Sequence, residues 1–200
     1  NGGTSVGILQ AFTKEMRATV VDSAGKFSEQ VVEPFAHYNV VRLRQDVLQN
    51  SVVGFIVTST AKKQRLPGLT AGTDWNLKLN DNTFQLDGFL ALSHSNNRLQ
   101  QGERGLGSAG KVNFSRIAAE HWLWSLAVDF TSKGYNINDV GFFNRPNDFG
   151  FFGSWTYKED KPGDVIRSYR LDGSFHEREN FDHANLFRQA TASTQILLMN

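Results

Sequence analysis

Thr83-Phe-Gln-Leu-Asp-Gly-Phe-Leu-Ala-Leu-Ser93 decides the fold. Phe84, Leu86, Gly88, Leu90 and Leu92 share one face of an extended chain, and Gln85, Asp87, Phe89 and Ala91 take the other. Side chains alternate across a strand but repeat every ~3.6 residues along a helix, so this run predicts a strand with one apolar face. The same period returns at Trp122 to Thr131, where Trp122, Trp124, Leu126, Val128 and Phe130 oppose Ser125, Ala127, Asp129 and Thr131. It returns from Asp148 to Tyr157, with Phe149, Phe151, Gly153, Trp155 and Tyr157 on one side.

Extending this reading outward predicts about ten strands. They fall near residues 4–14, 37–46, 51–60, 72–80, 83–93, 108–117, 121–131, 147–158, 165–177 and 185–199. Strands of globular domains average ~5–6 residues, whereas a tilted membrane strand needs ~9–11, and most of these approach ten. Short links at Val47 to Asn50, Asp81-Asn82, Ala118 to Glu120 and Glu159 to Asp164 carry turn-forming residues. They alternate with longer segments at Glu15 to Ala36, Ala61 to Ala71, His94 to Gly107 and Ser132 to Pro146, with Glu179 to Ala184 intermediate. Short turns on one side and long loops on the other are the plan of outer-membrane barrels. The expectation is an all-β fold, an antiparallel up-and-down transmembrane β-barrel. The chain opens Asn1-Gly-Gly and ends in Ile196-Leu-Leu-Met-Asn200, and residues 1–200 are read as a single segment of a longer barrel.

Composition agrees with that plan and removes other classes. Mean hydropathy is −0.38, and no apolar run approaches the ~18 residues of a spanning helix. A barrel gives a low average because lumen-facing polar residues dilute the lipid-facing ones. The net charge of +1, without a basic block, argues against a nucleic-acid partner. Cysteine is absent, which removes thiolate metal sites, disulfides and cysteine nucleophiles. The 16 Phe and 4 Trp are residues that collect in strands and at membrane interfaces.

Two rows of residues follow. An aromatic girdle is expected from Phe84, Trp122, Trp124, Trp155 and Tyr157 at the short-turn end, and from Tyr38, Trp75, Phe130, Phe149 and Phe175 at the other. The lumen-facing row is Arg42, Arg44, Asp74, Asn76, Lys78, Asp87, Lys111, Asp129, Arg170 and Asp172. A lipid-facing Arg or Lys costs ~2–4 kcal/mol at the bilayer midplane, so a charged row must face water. The period is the same in a soluble barrel turned inside out. Strand length, loop pattern and aromatic placement together favour the membrane.

Asn39-Val-Val-Arg-Leu-Arg-Gln-Asp-Val47, the turn Asn50-Ser-Val-Val-Gly54, Asp129-Phe130 and Asn138-Asp-Val-Gly-Phe-Phe-Asn-Arg145 carry a family likeness. The chain resembles an uncharacterised outer-membrane β-barrel family commonly found after an N-terminal carbohydrate-binding module of family-nine type. In that family the basic residue of the last motif comes sooner, whereas here Phe143 intervenes before Arg145. The resemblance implies an outer-membrane location in a Gram-negative-type bacterium, a longer parent barrel and an upstream module. It brings no catalytic residues and no cofactor.

Other motifs have simple readings. Gly105-Leu-Gly-Ser-Ala-Gly-Lys111 lacks the Ser or Thr of a phosphate loop, having Val112, and leads into a strand. His176, Glu177, Glu179, Asp182 and His183 are read as polar residues gathered at a strand end, with no metal assigned. Asp74, Asp87, Asp129 and Asp172 would be the inward carboxylates of a glycosidase, but balancing the wall cations is the simpler role. Tyr135, Ile137, Phe142 and Phe143 give the long loop from Ser132 to Pro146 apolar residues. Two readings follow: the loop folds into the mouth and narrows it, with Ile137, Phe142 and Phe143 as the constriction, or it packs on neighbouring loops. The function expected is a non-enzymatic pore or import component for polar solutes, with carbohydrate as the candidate solute and outer-membrane lipid as its surroundings. Two alternatives stand beside it: a non-conducting membrane anchor for a carbohydrate-binding domain, and a soluble β-rich carbohydrate-binding or carbohydrate-active domain.

Overall fold

A computed structural model describes residues 2–63, 67–95, 105–137 and 145–199. Among them the strands are β1 (Thr4–Thr13), β2 (Met16–Val21), β3 (Phe27–Glu33), β4 (Ala36–Val47), β5 (Ser51–Lys62) and β6 (Gly68–Leu79). The rest are β7 (Phe84–Ser95), β8 (Gly105–Arg116), β9 (Trp122–Thr131), β10 (Asp148–Glu159), β11 (Ile166–Glu179) and β12 (Asn185–Leu198). Ten of them form one antiparallel meander in the order β1-β4-β5-β6-β7-β8-β9-β10-β11-β12, and β2 pairs only with β3. The sheet is open, with β1 and β12 at its edges. No helix among the described residues is long and apolar enough to cross a membrane.

The pairing accumulates a large stagger. Thr4, at one tip of β1, is level with Gln45, Val53, Trp75, Gly88 and Val112. The same line continues through Val128, Phe151 and Glu177 to Arg188, near the opposite tip of β12. With ~3.3 Å per residue and ~4.8 Å between strands, an offset of about ten residues over the sheet inclines the strands by roughly 35–40°. Closed barrels tilt their strands by about the same angle.

Among the described residues no strand or helix forms a second layer over the sheet. Its buried apolar residues among the described ones are only Ala36, Ala109, Ala127 and Tyr135. A compact chain of this mass would expose roughly 9,400 Å², whereas this one exposes 13645 Å². The apolar row, the edge strands β1 and β12 and the β2–β3 hairpin all contribute to the excess. Register lines up Val6, Leu43 and Phe55 on the apolar side, and further along Phe114, Leu126 and Gly153. Leu92 is 51% and Leu126 50% exposed in mid-strand. Packing of side chains within this row replaces the usual core. Trp75 lies over Gly88 and Trp155 over Gly173, where a Cβ would meet the rings at 2.8 and 2.5 Å.

The links explain why the strands stop. Asn80, Asp81 and Asn82 all take positive φ, tolerable for short polar side chains, and Thr83 N–H donates to the Asn80 carbonyl at 2.9 Å. Leu48 and Asn50 do the same between β4 and β5. Three readings from sequence need correction. Residues 15–36 are not a plain loop but hold the β2–β3 hairpin, whose turn is built by Asp22 Oδ1 accepting from Ala24 and Lys26 N–H at 2.9 Å each. Its alternation is weak because both faces are solvated. β5 and β6 each extend into the segment read as a long link, so residues 63–67 are no longer than the turn at 117–121. Tyr38 is no girdle residue, since it pairs with Thr60 and Ala11 on the charged side, in phase with Arg42.

Candidate functional site

The charged side of the sheet is the candidate site, and it is built strand by strand. Arg42 on β4 reaches across β5 to Asp74 on β6, with one of its two hydrogen bonds at 2.8 Å. Gly54 lies beneath that bridge, and a Cβ there would strike the Arg42 guanidinium. The device recurs at the other end of the sheet. Arg178 on β11 donates to Asp129 on β9 at 3.2 and 2.6 Å, passing over Gly150 on β10. Charged pairs of this bidentate kind hold both position and orientation.

Between the two bridges runs a chain of hydrogen bonds. Lys78 donates to Gln85, Gln85 to Asp87 at 2.7 Å, Asn113 to Asp87 at 3.0 Å, and Ser125 to Asn113 at 2.6 Å. Further on, Thr156 donates to Asp172 at 2.6 Å and Arg170 to Asp172 at 2.8 and 2.9 Å. Arg44, Asn76 and Lys111 stand exposed in the same row. All ten residues expected to face a lumen therefore lie on one side of the sheet, and the four carboxylates are engaged by neighbouring donors.

The aromatic row is continuous at the short-turn end of β7 to β11. Phe84 stacks on Phe114 at 5.8 Å, and Phe114 meets Trp124 edge-on at 5.2 Å. Trp122 lies 5.9 Å from Trp155 and 4.9 Å from Tyr157, which neighbours Tyr169 at 5.9 Å. At the far end Phe130 pairs with Phe149, and Phe151 lies 6.2 Å from Phe175. Trp75 is nearer Leu79 at the short-turn end than Gly68, so the two ends share the aromatic residues differently from the sequence reading.

The link after β9 lies on the charged side. Ser132 and Ser108 exchange two hydrogen bonds of 2.8 Å, and Asn136 N–H donates to Ser93 Oγ at 2.9 Å. A Cβ on Gly107 would collide with the backbone of Tyr135, which is 7% exposed. Burial pushes the Tyr135 phenol above its ordinary pKa. Lys133 and Asn147, one on each stem of this link, both donate to Asp182 in the β11–β12 turn, at 2.5 and 3.0 Å. The Lys133 hydrogen bond, helped by Asn147, holds the Asp182 carboxyl below its usual pKa. Asp148 receives Arg178 at 2.8 Å and also takes Arg145. Ile137 is half-buried at the end of the described stretch, and Phe142 and Phe143 lie outside the described residues.

Sequence reasoning missed Gly54, Gly150, Arg178 and Asp148, whereas Tyr135, singled out as an apolar loop residue, is buried. Arg178 shares the phase of Arg170 and Asp172, and extending that strand past residue 177 would have included it. The histidine and carboxylate group at 176–183 does not converge. His176 lies on the charged side against Phe152, Glu177 on the apolar side with Arg188, and Asp182 with Lys133. Among the described residues no group of three such side chains is placed to hold a metal.

The described residues thus form an open antiparallel meander with one exposed apolar face and one ion-bridged face. The chain belongs to the family described as Domain of unknown function (DUF5916), which matches residues 1–199. No curated protein and no solved structure matches it.

Proposed function

We propose that this chain is wall from an outer-membrane β-barrel of a Gram-negative-type bacterium, serving as a pore or import component for polar solutes. The apolar row faces lipid and the charged row faces water. One observation carries the reading: a single-layer sheet leaves its apolar face uncovered while pairing the ionic groups of the other. In water that arrangement is unfavourable, because roughly 25 cal/mol is lost for each Å² of apolar surface left wet. In a bilayer it is the stable one. The strand inclination and the aromatic belt at the short-turn end support the same orientation.

The barrel reading also requires partners for the sheet edges, because unpaired backbone groups cannot face hydrocarbon. β1 has no charged residue and no proline, and β12 has only Arg188. Edge strands of soluble proteins guard themselves with such residues. Both edges are suited to pairing with further strands of a wall.

Carbohydrate enters as the solute through the resemblance to barrels that follow a carbohydrate-binding module. No bond-making or bond-breaking reaction is assigned. A second reading, a non-conducting anchor, is favoured by the link at 132–137, which covers part of the charged side. Liposome flux with the intact parent protein separates the two. Uptake of small polar solutes that rises on deleting residues 133–144 is expected of a narrowed pore. No flux with or without the deletion assigns the anchor. A parent protein that stays monodisperse without amphiphile overturns both.

A further inference from the structure

A hollow of about 320 Å³ opens on the charged side near the short turns, at the lower end of the ~300–1,000 Å³ usual for small-molecule sites. Ser115, Ser125 and Ser154 stand side by side in it, one each from β8, β9 and β10. Ile117, Leu123 and Thr156 line it nearer the turns. Strand alternation turns the intervening Arg116, Trp124 and Trp155 side chains to the apolar side, so these six residues make the polar lining. The hollow exists because its middle row is small. Asn113 and Phe152 occupy the next row toward mid-strand, and Leu123, Thr156 and Asp172 the next row toward the turns.

Its hydrogen-bonding capacity is only partly used. Ser125 donates to Asn113 and Thr156 to Asp172, each at 2.6 Å. The Ser115 and Ser154 hydroxyls, by contrast, have no hydrogen-bond partner among the described residues. Ser115 is only 6% exposed, yet it lines the hollow, so what remains of its surface looks into it. A serine hydroxyl offers one donor and two acceptor lone pairs, and leaving a buried one unpaired is unfavourable.

The chemistry selects a class of occupant. None of the six lining side chains carries a formal charge. The nearest carboxylate, Asp172, is already held by Arg170. An anion would meet no free cation here, and a cation only a paired carboxylate. Ile117 and Leu123 add an aliphatic wall beside the hydroxyls. A saturated ring with hydroxyls around its edge and C–H groups on its faces matches both parts.

We propose that this hollow binds one neutral, ring-shaped polyhydroxy solute of monosaccharide size. Its hydroxyls pair with Ser115 and Ser154, and a C–H face lies on Leu123 and Ile117. The site rests on the reading of the charged side as a wet wall. It adds a place on that wall where the solute pauses.

The test is saturation-transfer NMR on the intact parent protein, in a polyoxyethylene detergent that has no sugar headgroup. D-glucose is expected to receive saturation in a saturable way, with its ring C–H protons strongest. Unlabelled myo-inositol should displace it, whereas gluconate and cyclohexanol at the same concentration should not. Ser115→Val and Ser154→Val should each raise the half-saturating glucose concentration at least fivefold, and Ser154→Thr should restore most of the binding. Circular dichroism checks that strand content is unchanged. If Ser115→Val loses strands, the half-buried Ser154 pair of variants decides. Displacement by gluconate as readily as by inositol makes this an ion site, and displacement by cyclohexanol makes it an apolar hollow. Unchanged binding in the valine variants puts the sugar elsewhere. Each of these results overturns the proposal. Flux through liposomes without saturable binding removes this site and keeps the pore, whereas saturable binding without flux keeps the site and removes the pore.

Discussion

Two residues without side chains do much to hold the charged side together. Gly54 and Gly150 leave room for arginines to cross a whole strand and meet aspartates beyond it. Gly150→Val would place carbon within 2.7 Å of Arg178 and 2.9 Å of Asp129. We expect it to destabilise the sheet by about 1–3 kcal/mol, measured by urea unfolding in micelles. Gly153→Ala is the control, since its nearest neighbour is Leu126 at 3.4 Å, and should change stability little. These roles were not legible in the sequence, because each needs the register of three strands. Tyr38 was legible and misread: it has the parity of Arg42 and Arg44 within its own strand. Asp182 gives a residue-scale pH test. Its folded pKa lies below the ordinary 3.8, so the tether it makes is fully present above that value and is lost as pH falls through the lowered one. Amide exchange at Tyr135 and Asn136 should therefore quicken below about pH 3.8 and do so at neutral pH in Asp182→Asn.

Strands were legible wherever a single face had to stay apolar. The runs at 83–93 and 122–131 announce themselves because their two sides meet different surroundings. The β2–β3 hairpin meets the same surroundings on both sides, so selection for alternation is absent and the sequence looks like loop. Among the described residues it touches no other strand. Replacing residues 15–35 with a short turn should leave the strand content of the main sheet and its unfolding midpoint unchanged, as followed by circular dichroism in micelles. A fall in the midpoint would show that the hairpin packs on the sheet in solution. The link at 132–137 behaves differently. Its apolar residues pointed to burial, and Tyr135 is buried, but its seat on Ser93, Gly107 and Ser108 depended on strands far away in sequence.

At the scale of the whole molecule, apolar exposure and unguarded edges act together. In water without amphiphile, the 200-residue chain should self-associate through β1 and β12, as bare edges template further strands. Placing charge on both, with Leu9→Lys and Thr191→Lys, should slow the growth of large species in light scattering. If association is unaffected, the apolar face rather than the edges is responsible.

The stagger of the strands also limits girth. At the inclination described, each strand occupies roughly 6 Å of perimeter, so ten would enclose a ring about 19 Å across between backbones. Inward side chains would take about 5 Å from each wall, leaving a bore of roughly 9 Å. A single hydrated sugar unit passes such a hole, and a folded oligosaccharide does not. Any larger cargo would therefore need more staves in the cask than these ten.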